Sequence, residues 1–228
     1  MKKNVLEAKD LKKSFFLNGK EIKVFDQINF AFESGKVIVI KGRSGVGKST
    51  LLSLLGGLDR PSAGSISFEG IGFENLSNEE LALLRRKKIG IIFQNFNLLS
   101  SWTAAENVEA VLMHSGIDES IRRQKVESLL TELGLGDRLD NLPSELSVGQ
   151  QQRVAIARTL ANDPTLILAD EPTGDVDPET ANEIIEKLLV PVKTRGATLV
   201  VTTHGNFPES FADQIFQMKD GQINLNHA

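Results

Sequence analysis

The segment GRSGVGKST, residues 42–50, has the residue types of a phosphate-binding loop in the pattern G-x-x-x-x-G-K-[ST]. Its glycines allow successive backbone N–H groups to turn toward one anion. In this pattern Lys48 reaches the β- and γ-phosphates of a nucleotide, and the Ser49 hydroxyl binds Mg²⁺. The residues expected around the phosphates are Gly42, Ser44, Gly45, Gly47, Lys48, Ser49 and Thr50.

Two adjacent carboxylates, Asp170 and Glu171, end the apolar run LILADEP. A buried parallel strand presents its ligands at its C-terminal end, which is also the edge that carries the phosphate loop. We expect Asp170 to hold Mg²⁺ through water. Glu171 points elsewhere and is expected to orient or deprotonate the attacking water. Adjacent acids at a strand end are often only part of a turn, but the phosphate loop favours the catalytic interpretation.

A histidine follows another apolar run, ATLVVTTHG, so His204 is placed at a strand end. We interpret it as a contact to the γ-phosphate or to water because of the motifs that accompany it. A lone histidine is otherwise a surface residue or a satisfied core residue. His114 and His227 are interpreted in that way.

The stretch SELSVGQQQRVAIARTL, residues 144–160, predicts a helix that starts at a Ser147–Gln150 capping box. Gly149 is a poor residue for a first helical turn. It suggests a ligand that comes close to the backbone, and helix N-termini are sites for anions. A β-branched residue at positive φ would be an outlier, so Val148 is expected to have an ordinary negative φ.

These motifs require strands and helices that bring them to one edge of a β-sheet. The run KVIVIKG at 36–42 is typical of a buried parallel strand, and 48–58 is predicted as a helix closed by Gly56 and Gly57. Strands are also predicted at 22–34, 64–70, 165–171 and 197–204, and helices at 76–88, at 179–192 and, as a continuous helical pattern, at about 104–160. This alternation predicts an α/β core with a parallel sheet, antiparallel strands near the start and an internal helical block.

Composition narrows the function classes. The 228 residues are 40% hydrophobic and 25% charged, which fits a globular protein with a sizeable core. The net charge of -4 argues against non-specific nucleic-acid binding, and no nucleic-acid partner is expected. Without cysteine there is no disulfide or thiolate metal site. The start lacks the apolar region of a secretory signal, and the apolar runs are too short to span a bilayer, so work at a membrane would need a partner.

Taken together, these motifs resemble the ATP-binding subunit of ABC transporters over essentially the whole chain. The resemblance implies a RecA-like P-loop NTPase core with a parallel sheet, an N-terminal antiparallel β subdomain and an inserted α-helical subdomain. It also assigns roles to further positions. Ser147, Gly149 and Gln150 match the signature motif, Gln94 in IIFQNFNLL the Q-loop, Asp177 in GDVD the D-loop aspartate, and His204 the switch histidine.

Two positions depart from the usual family pattern. Phe15 in LKKSFF falls where the family often has a tyrosine that stacks on adenine, with the adjacent Phe16 as an alternative. Phenylalanine keeps the stacking face and loses only the hydroxyl. Val148 stands where the family usually has glycine. It either crowds the facing nucleotide and weakens closure, or its side chain points away.

The resemblance implies a mechanism with ATP and Mg²⁺. Two copies of the chain sandwich two ATP molecules in an ATP-bound homodimer, and each signature helix completes the site on the other copy. Lys48 neutralises phosphate charge, Glu171 activates water, and Gln94 and His204 sense the γ-phosphate and metal. The implied metal ligands are Ser49, Gln94 and Asp170. The partner is an integral-membrane permease on a separate chain, which places the subunit in the cytoplasm, peripheral on the inner face of the cell membrane.

The subgroup follows from longer stretches such as LLSLLGGLDRPSAG and LADEPTGDVD, which look like the lipoprotein-releasing, macrolide-efflux and antimicrobial-peptide group. In this group ATP binding drives mechanical work across the membrane. One alternative is a division-type ABC ATPase coupled to a non-transporting membrane protein. A small-molecule kinase would leave the signature stretch without a role, and a catalytically dead regulator would not need Lys48, Asp170, Glu171 and His204.

The expected organisation is a single ABC-type ATPase domain over residues 1–228. Residues of about 1–95 and 161–228 would form the α/β core with the antiparallel β subdomain, and about 96–160 the helical subdomain with the signature motif. Trp102 is a large aromatic in a predicted loop near Gln94. It is interpreted either as a contact to a cytoplasmic loop of the permease or as a core residue.

Overall fold

Two β-sheets organise the part of the chain that the computed structural model describes, residues 3–174, 176–205 and 207–226. An antiparallel sheet has the order β2-β1-β4-β5, and the other has the order β10-β9-β3-β8-β7-β6. The strands are β1 Asn4–Leu17, β2 Lys20–Glu33, β3 Val37–Lys41, β4 Ala63–Phe68, β5 Ile71–Gly72, β6 Ile89–Ile92, β7 Leu166–Asp170, β8 Thr198–Thr203, β9 Gln214–Lys219 and β10 Gln222–Leu225.

The second sheet is parallel from β9 to β6, and β10 joins its edge as an antiparallel strand. Its inner strands carry the apolar runs seen in the sequence, and their alternate residues enter two different cores. Ile38 and Ile40 pack toward the antiparallel sheet, whereas Val37 and Val39 pack toward the helices that follow β6. A parallel sheet is covered on both faces, which explains why β3 lacks polar residues in alternation.

The helices of the described residues are α1 Lys48–Leu55, α2 Asn78–Lys88, α3 Ala104–Glu109, α4 Glu119–Glu132, α5 Val148–Leu160 and α6 Pro178–Arg195. The predicted helix boundaries are confirmed where a capping residue determines them. Ser77 and Glu80 form the expected capping box of α2, and Gly56 caps the C-terminus of α1, with Gly57 following it at a φ of 61°. The predicted strands at 22–34, 64–70, 165–171 and 197–204 are confirmed within a few residues.

The expectation of a helical pattern throughout about 104–160 is wrong. This region holds α3, α4 and α5, separated by turns and loops. Gly134 ends α4 with a φ of 72°, and the N–H groups of Gly134 and Leu135 return to the carbonyls of Thr131 and Leu130. This is the Schellman pattern, in which a left-handed glycine stops a helix although apolar periodicity continues beyond it.

Several strands were not identified from the sequence. β1 is long, but register shifts along its pairing with β2 and β4 interrupt the alternation that would reveal it. β6, β9 and β10 are short, at four to six residues, and periodicity over so few positions is weak evidence. Their pairing in the sheet, rather than their local pattern, determines their structure.

The fold class is the expected one: a parallel-sheet core, an antiparallel sheet built mainly from the N-terminal strands, and helices inserted between β6 and β7. The boundaries of a helical subdomain near residues 96 and 160 stay a prediction. Among the described helices, none is both long and apolar enough to span a bilayer.

Candidate nucleotide site

A cavity of about 570 Å³ opens at the C-terminal edge of the parallel sheet, over the turn between β3 and α1. It brings residues from distant parts of the sequence to the phosphate loop. The strand-end residues Glu171 and His204 reach it from β7 and β8, and Gln94 reaches it from the segment after β6. The complete lining is Arg43, Ser44, Gly45, Gly47, Lys48, Ser49, Thr50, Gln94, Glu171 and His204.

The backbone of the phosphate loop depends on glycine. Gly45 and Gly47 have φ values of 76° and 106°, in the left-handed region that side chains disfavour. A Cβ on Gly47 would also collide with Cγ1 of Val24, because β2 lies directly against the loop. Gly42 does not line the cavity, and a Cβ there would lie 2.7 Å from the carbonyl oxygen of Met218.

Lys48 provides a buried positive charge at the cavity, with 5% of its surface exposed. Its Nζ donates hydrogen bonds to the carbonyl oxygens of Gly42 at 2.9 Å and Arg43 at 3.1 Å. The same atom lies 3.4 Å from Oε1 of Glu171. A buried ammonium beside a glycine loop at a helix N-terminus fits the phosphates of a nucleotide.

Glu171 connects Lys48 and His204 within the cavity. Its Oε1 faces Lys48, and its Oε2 is hydrogen-bonded to Nδ1 of His204. Its φ of 48° is a left-handed conformation, and its backbone N–H donates to the carbonyl of Thr202 at 3.0 Å. Non-glycine residues in this conformation carry backbone strain and are enriched at functional sites. The arrangement holds the carboxylate over the phosphate loop.

Asp170 is the neighbouring acid and has a different environment. It is 9% exposed, and its Oδ1 accepts a hydrogen bond from Oγ1 of Thr202 at 2.5 Å. It does not line the cavity, whereas Ser49 and Gln94 do. These side chains supply hydroxyl, amide and carboxylate oxygens, which are the ligand types that Mg²⁺ prefers. Within the described residues no cluster of three or more acids or histidines forms a protein-only metal cage.

The remaining predicted nucleotide contacts are not brought to this cavity. Of the described residues assigned that role, Phe15, Ser147, Gly149, Gln150 and Asp177 lie outside its lining. Phe15 is 43% exposed on β1, and the adjacent Phe16 is 77% exposed. His114 is exposed, as interpreted from the sequence, and His227 lies outside the described residues.

The signature stretch begins α5 as its sequence predicts. Oγ of Ser147 accepts from the N–H of Gln150, and Oε1 of Gln150 accepts from the N–H of Ser147. Val148 is the first helical residue, has the expected negative φ and is 49% exposed. A Cβ on Gly149 would lie 3.3 Å from Cγ2 of Thr180, so the start of α5 closely approaches the start of α6.

Asp177 is the N-cap of α6. Its Oδ1 accepts hydrogen bonds from the N–H groups of Glu179 at 3.1 Å and Thr180 at 3.0 Å. The hydrogen bonds from Thr180 lower the pKa of this carboxyl below its usual range. Asp177 therefore fixes the helix start that contacts Gly149.

Sequence reasoning missed Arg158, which holds the segment after Gln94. Its guanidinium donates to the carbonyls of Phe96 at 2.5 Å and Asn97 at 2.7 Å. These two residues have φ values of 59° and 48°, and burial lowers the pKa of Arg158. Asn97 was the available signal, since asparagine adopts the left-handed region more readily than most residues do. Arg158 thus joins α5 to the Gln94 segment.

Known proteins match this chain in sequence. A family model described as ABC transporter matches residues 25–174. An uncharacterized ABC transporter ATP-binding protein of Thermotoga maritima is 44% identical over 97% of this chain and 94% of its own length. A macrolide export ATP-binding/permease protein, MacB, of Hyphomonas neptunium is 42% identical over 96% of this chain. The chain spans about a third (34%) of the length of that MacB relative.

Solved structures match it as well. A dimer of the ATP-binding cassette MJ0796, in a post-hydrolysis state bound to ADP and Pi, is 36% identical with a TM-score of 0.91 over 98% of this chain and 99% of that chain. The cbiO1 protein from Clostridium perfringens, part of the cbiONQ transporter complex, is 30% identical with a TM-score of 0.83 over 98% of this chain and 88% of that chain. Sequence and fold agree, and the chain belongs to the ABC transporter family of ATP-binding proteins, as an ATPase that uses ATP and Mg²⁺.

Proposed function

We propose that this chain is the subunit that binds and hydrolyses ATP for a separate membrane permease, and that it works as a homodimer around two ATP molecules. The observation that carries the proposal is the division of its nucleotide motifs. Lys48, Glu171 and His204 meet at one cavity, whereas Ser147 and Gly149 lie outside it. A second copy arranged head-to-tail would bring its Ser147 and Gly149 to this cavity, and a two-fold axis would repeat the arrangement at the other site.

The residues of the cavity have separate roles in this proposal. Lys48 and the N–H groups of the phosphate loop bind the phosphates, and Glu171 takes a proton from the attacking water. His204 keeps the Glu171 carboxylate oriented through Oε2. Mg²⁺ supplies charge neutralisation at the phosphates when it is bound, and Ser49, Gln94 and Asp170 are the residues that would hold it.

Closure of the dimer follows from differential affinity. ATP that contacts both copies binds the closed arrangement more tightly than the open one, and it therefore shifts the population toward closure. Loss of the γ-phosphate on hydrolysis reduces this difference in affinity between the closed and open arrangements. Arg158 would carry the change from α5 to the segment after Gln94, because it bonds the carbonyls of Phe96 and Asn97.

The permease would read this motion at a second cavity of about 480 Å³ between α2, β6 and α5. Its lining includes the apolar side chains of Ile89 and Phe93 and the basic side chains of Arg85, Arg86 and Arg158. This combination suits a short loop of the permease with an apolar anchor and an acidic residue. Docking there would put the chain at the cytoplasmic face of the membrane.

The kind of transporter is proposed as the lipoprotein-release and efflux type, in which ATP binding drives mechanical work. Two features support it: the resemblance of LLSLLGGLDRPSAG and LADEPTGDVD to that group, and the macrolide export proteins among the relatives. The part of such a relative that matches this chain is about a third (34%) of one protein that is named as both ATP-binding protein and permease. The transported substrate is therefore sought through the permease.

The test is purification of the tagged full chain from membranes of its source organism, followed by identification of the bound protein. We expect a permease with a large extracytoplasmic domain and MgATP hydrolysis by the complex. A non-transporting membrane protein would overturn the efflux assignment in favour of the division-type alternative. Absence of MgATP hydrolysis by both chain and complex would overturn the proposal itself.

A further inference from the structure

Lys13 is a buried lysine beside Phe15, the aromatic that the family resemblance assigns to stacking on the nucleotide base. It is 8% exposed, and its Nζ lies 4.7 Å from the centre of the Phe15 ring. The same ammonium is 2.7 Å from Oδ2 of Asp59 and donates to the carbonyl of Arg60 at 2.9 Å. A buried lysine with an ion pair, a backbone acceptor and a ring is fixed in one position.

The partners of Lys13 lie in the turn that follows α1, the helix that begins at the phosphate loop. Asp59 and Arg60 follow α1, and the N–H of Asp59 points to the carbonyl of Ser53 within that helix. Burial opposes ionisation of Asp59, but hydrogen bonds from Lys13 and from the N–H of Arg60 outweigh it, and its pKa lies below the usual range. Lys13 therefore connects β1 to the C-terminal end of α1.

The hairpin of β1 and β2 runs past the phosphate loop. Phe15 pairs with Ile22 across the hairpin, and Val24, two residues further along β2, lies against Gly47. Two residues of a strand span roughly 6.6 Å. Phe15 thus lies on the same hairpin, offset by roughly 6.6 Å along the strands from the point where β2 meets the phosphate loop. That separation suits the base of a nucleotide whose phosphates occupy the loop.

We propose that Lys13 is a positioning residue for the nucleotide base, holding the Phe15 ring by one face so that the other face is ready to stack on the base. The inference rests on the proposed function, and it adds the link from the ring through Lys13 and Asp59 to α1. Phe15 is 43% exposed, so ring surface is available for stacking. A ring that is ordered before binding loses less conformational entropy when the base arrives, and this raises affinity without new contacts.

The first experiment compares MgATP with inorganic tripolyphosphate, which has no base, as ligands of the full chain in isothermal titration calorimetry. Lys13→Met keeps the length of the side chain and removes the charge. We expect it to weaken MgATP binding about three- to fivefold, in the range of a cation–π contact, with kcat unchanged and KM raised. Tripolyphosphate affinity should stay the same. Equal weakening of both ligands, or no change for either, would overturn the inference.

Two matched variants control for charge and fold. Lys20→Met removes a lysine from the exposed tip of the same hairpin and should leave both affinities at the wild-type value. Lys13→Arg keeps a cation over the ring and should restore most of the MgATP affinity. If Lys13→Met lowers the melting temperature too far to assay, Asp59→Asn tests the same link from a more exposed position. It should weaken MgATP binding alone.

A double-mutant cycle separates this inference from the proposed function. Phe15→Ala should weaken MgATP binding, and adding Lys13→Met to it should have no further effect, because Lys13 acts through the ring. Unchanged MgATP binding by Phe15→Ala would overturn the base-stacking role itself. Weaker binding by Phe15→Ala together with an additive effect of Lys13→Met would leave that role standing and reject Lys13 as its positioning residue.

Discussion

The Nζ atom of Lys48 lies 3.4 Å from Oε1 of Glu171, so the cation of the phosphate loop and the proposed general base contact each other directly. His204 contacts the other oxygen of the same carboxylate. An incoming phosphate must compete with Glu171 for Lys48. Nucleotide binding and release of the carboxylate toward water are therefore linked through one ammonium group.

The role of Glu171 is tested by Glu171→Gln. The amide keeps the size of the side chain but cannot accept a proton as a carboxylate does. We expect hydrolysis to fall by at least about 10²-fold, the usual contribution of a general base, with MgATP affinity retained. The closed dimer should then persist and elute as a dimer in size-exclusion chromatography with MgATP.

The matched control for that variant is Glu186→Gln on the exposed face of α6, which should hydrolyse ATP like the wild type. A Glu171→Gln protein that turns over ATP at a near wild-type rate would falsify the general-base role. A monomer at every MgATP concentration would instead count against the proposed dimer.

Gly149 is tested by Gly149→Ala. Alanine favours a helix by about 1 kcal/mol over glycine, but its Cβ would lie 3.3 Å from Cγ2 of Thr180. These effects oppose each other, so the free energy of unfolding should change by less than about 1 kcal/mol in urea titrations. ATP-dependent dimerisation and hydrolysis should still fall, because the added methyl group lies at the backbone proposed to face the second copy's nucleotide.

The control for Gly149→Ala is its combination with Thr180→Ser, which removes the crowded methyl group. If the double variant regains full ATPase activity, the defect arose within one chain and the intersubunit role of Gly149 is rejected. If activity stays low while stability is normal, the loss lies at the interface between copies.

Val148 is exposed at the start of α5, between Ser147 and Gly149, the two residues proposed to reach the second copy's cavity. Val148→Gly should raise ATP-dependent dimerisation if the side chain crowds the facing nucleotide. The glycine costs about 0.5 kcal/mol of helix propensity, whereas alanine favours the helix. Val148→Ala is therefore tested beside it and should change dimerisation in the same direction. Sedimentation velocity with MgATP measures the dimer fraction in a Glu171→Gln background. Identical fractions for all three proteins would mean that the valine side chain points away.

Trp102 is half-buried in the loop before α3, and its carbonyl accepts from Nδ2 of Asn107. Asn107 also holds Leu99 and Thr103, so the loop keeps its shape through backbone bonds that do not need the indole. Trp102→Ala should therefore leave basal ATPase activity normal. If the indole contacts a cytoplasmic loop of the permease, the variant should also weaken assembly with the permease. Pull-down with the co-purified permease measures this, and an unchanged complex would leave Trp102 as a packing residue.

Acid should weaken the link between β3 and the segment before β9. Burial opposes ionisation of Asp213, but hydrogen bonds from the N–H of Val37 and from Lys36 outweigh it and lower its pKa. The unfolded value is about 3.9, so this contribution is complete above about pH 5 and is lost as the pH falls through the lower folded value. Asp213→Asn should cost about 1 kcal/mol at pH 7, after allowance for the exposure of the pair. That difference should shrink toward pH 3 in denaturant titrations, and a difference that stays constant with pH would contradict the ionic origin.

Local chemistry made much of the site predictable. A glycine pattern ending in Gly47 and Lys48 can form an anion loop wherever a strand precedes it, and Ser147 with Gln150 specifies its own helix start. The apolar strands β3, β7 and β8 were also identified, because burial on both faces requires a continuous apolar run. These features depend on neighbours within a few residues.

Periodicity was less informative where the pattern was short or interrupted. The left-handed Gly134 breaks the helical region that apolar spacing joined, and the bulged pairing of β1 conceals a long strand. At Gly134 the hydrogen bonds are local, to Thr131 and Leu130, so the glycine itself was the available signal. In β1 the pairing with β2 and β4 decided the structure, and the residue pattern of the strand did not. The same holds for β9 and β10, which take their structure from pairing in the sheet.

By itself, the sequence determined the chemical groups of an ABC-type ATP site and the local elements that present them. Only the tertiary structure decided which groups touch: Glu171 between Lys48 and His204, Gly149 against Thr180, and Lys13 between Phe15 and Asp59. The physical reason is the separation along the chain. Apart from the Lys13–Phe15 contact within β1, these contacts cross about 30 to more than 100 positions. Sheet order, strand register and helix packing set them, and no local pattern of residue types records them.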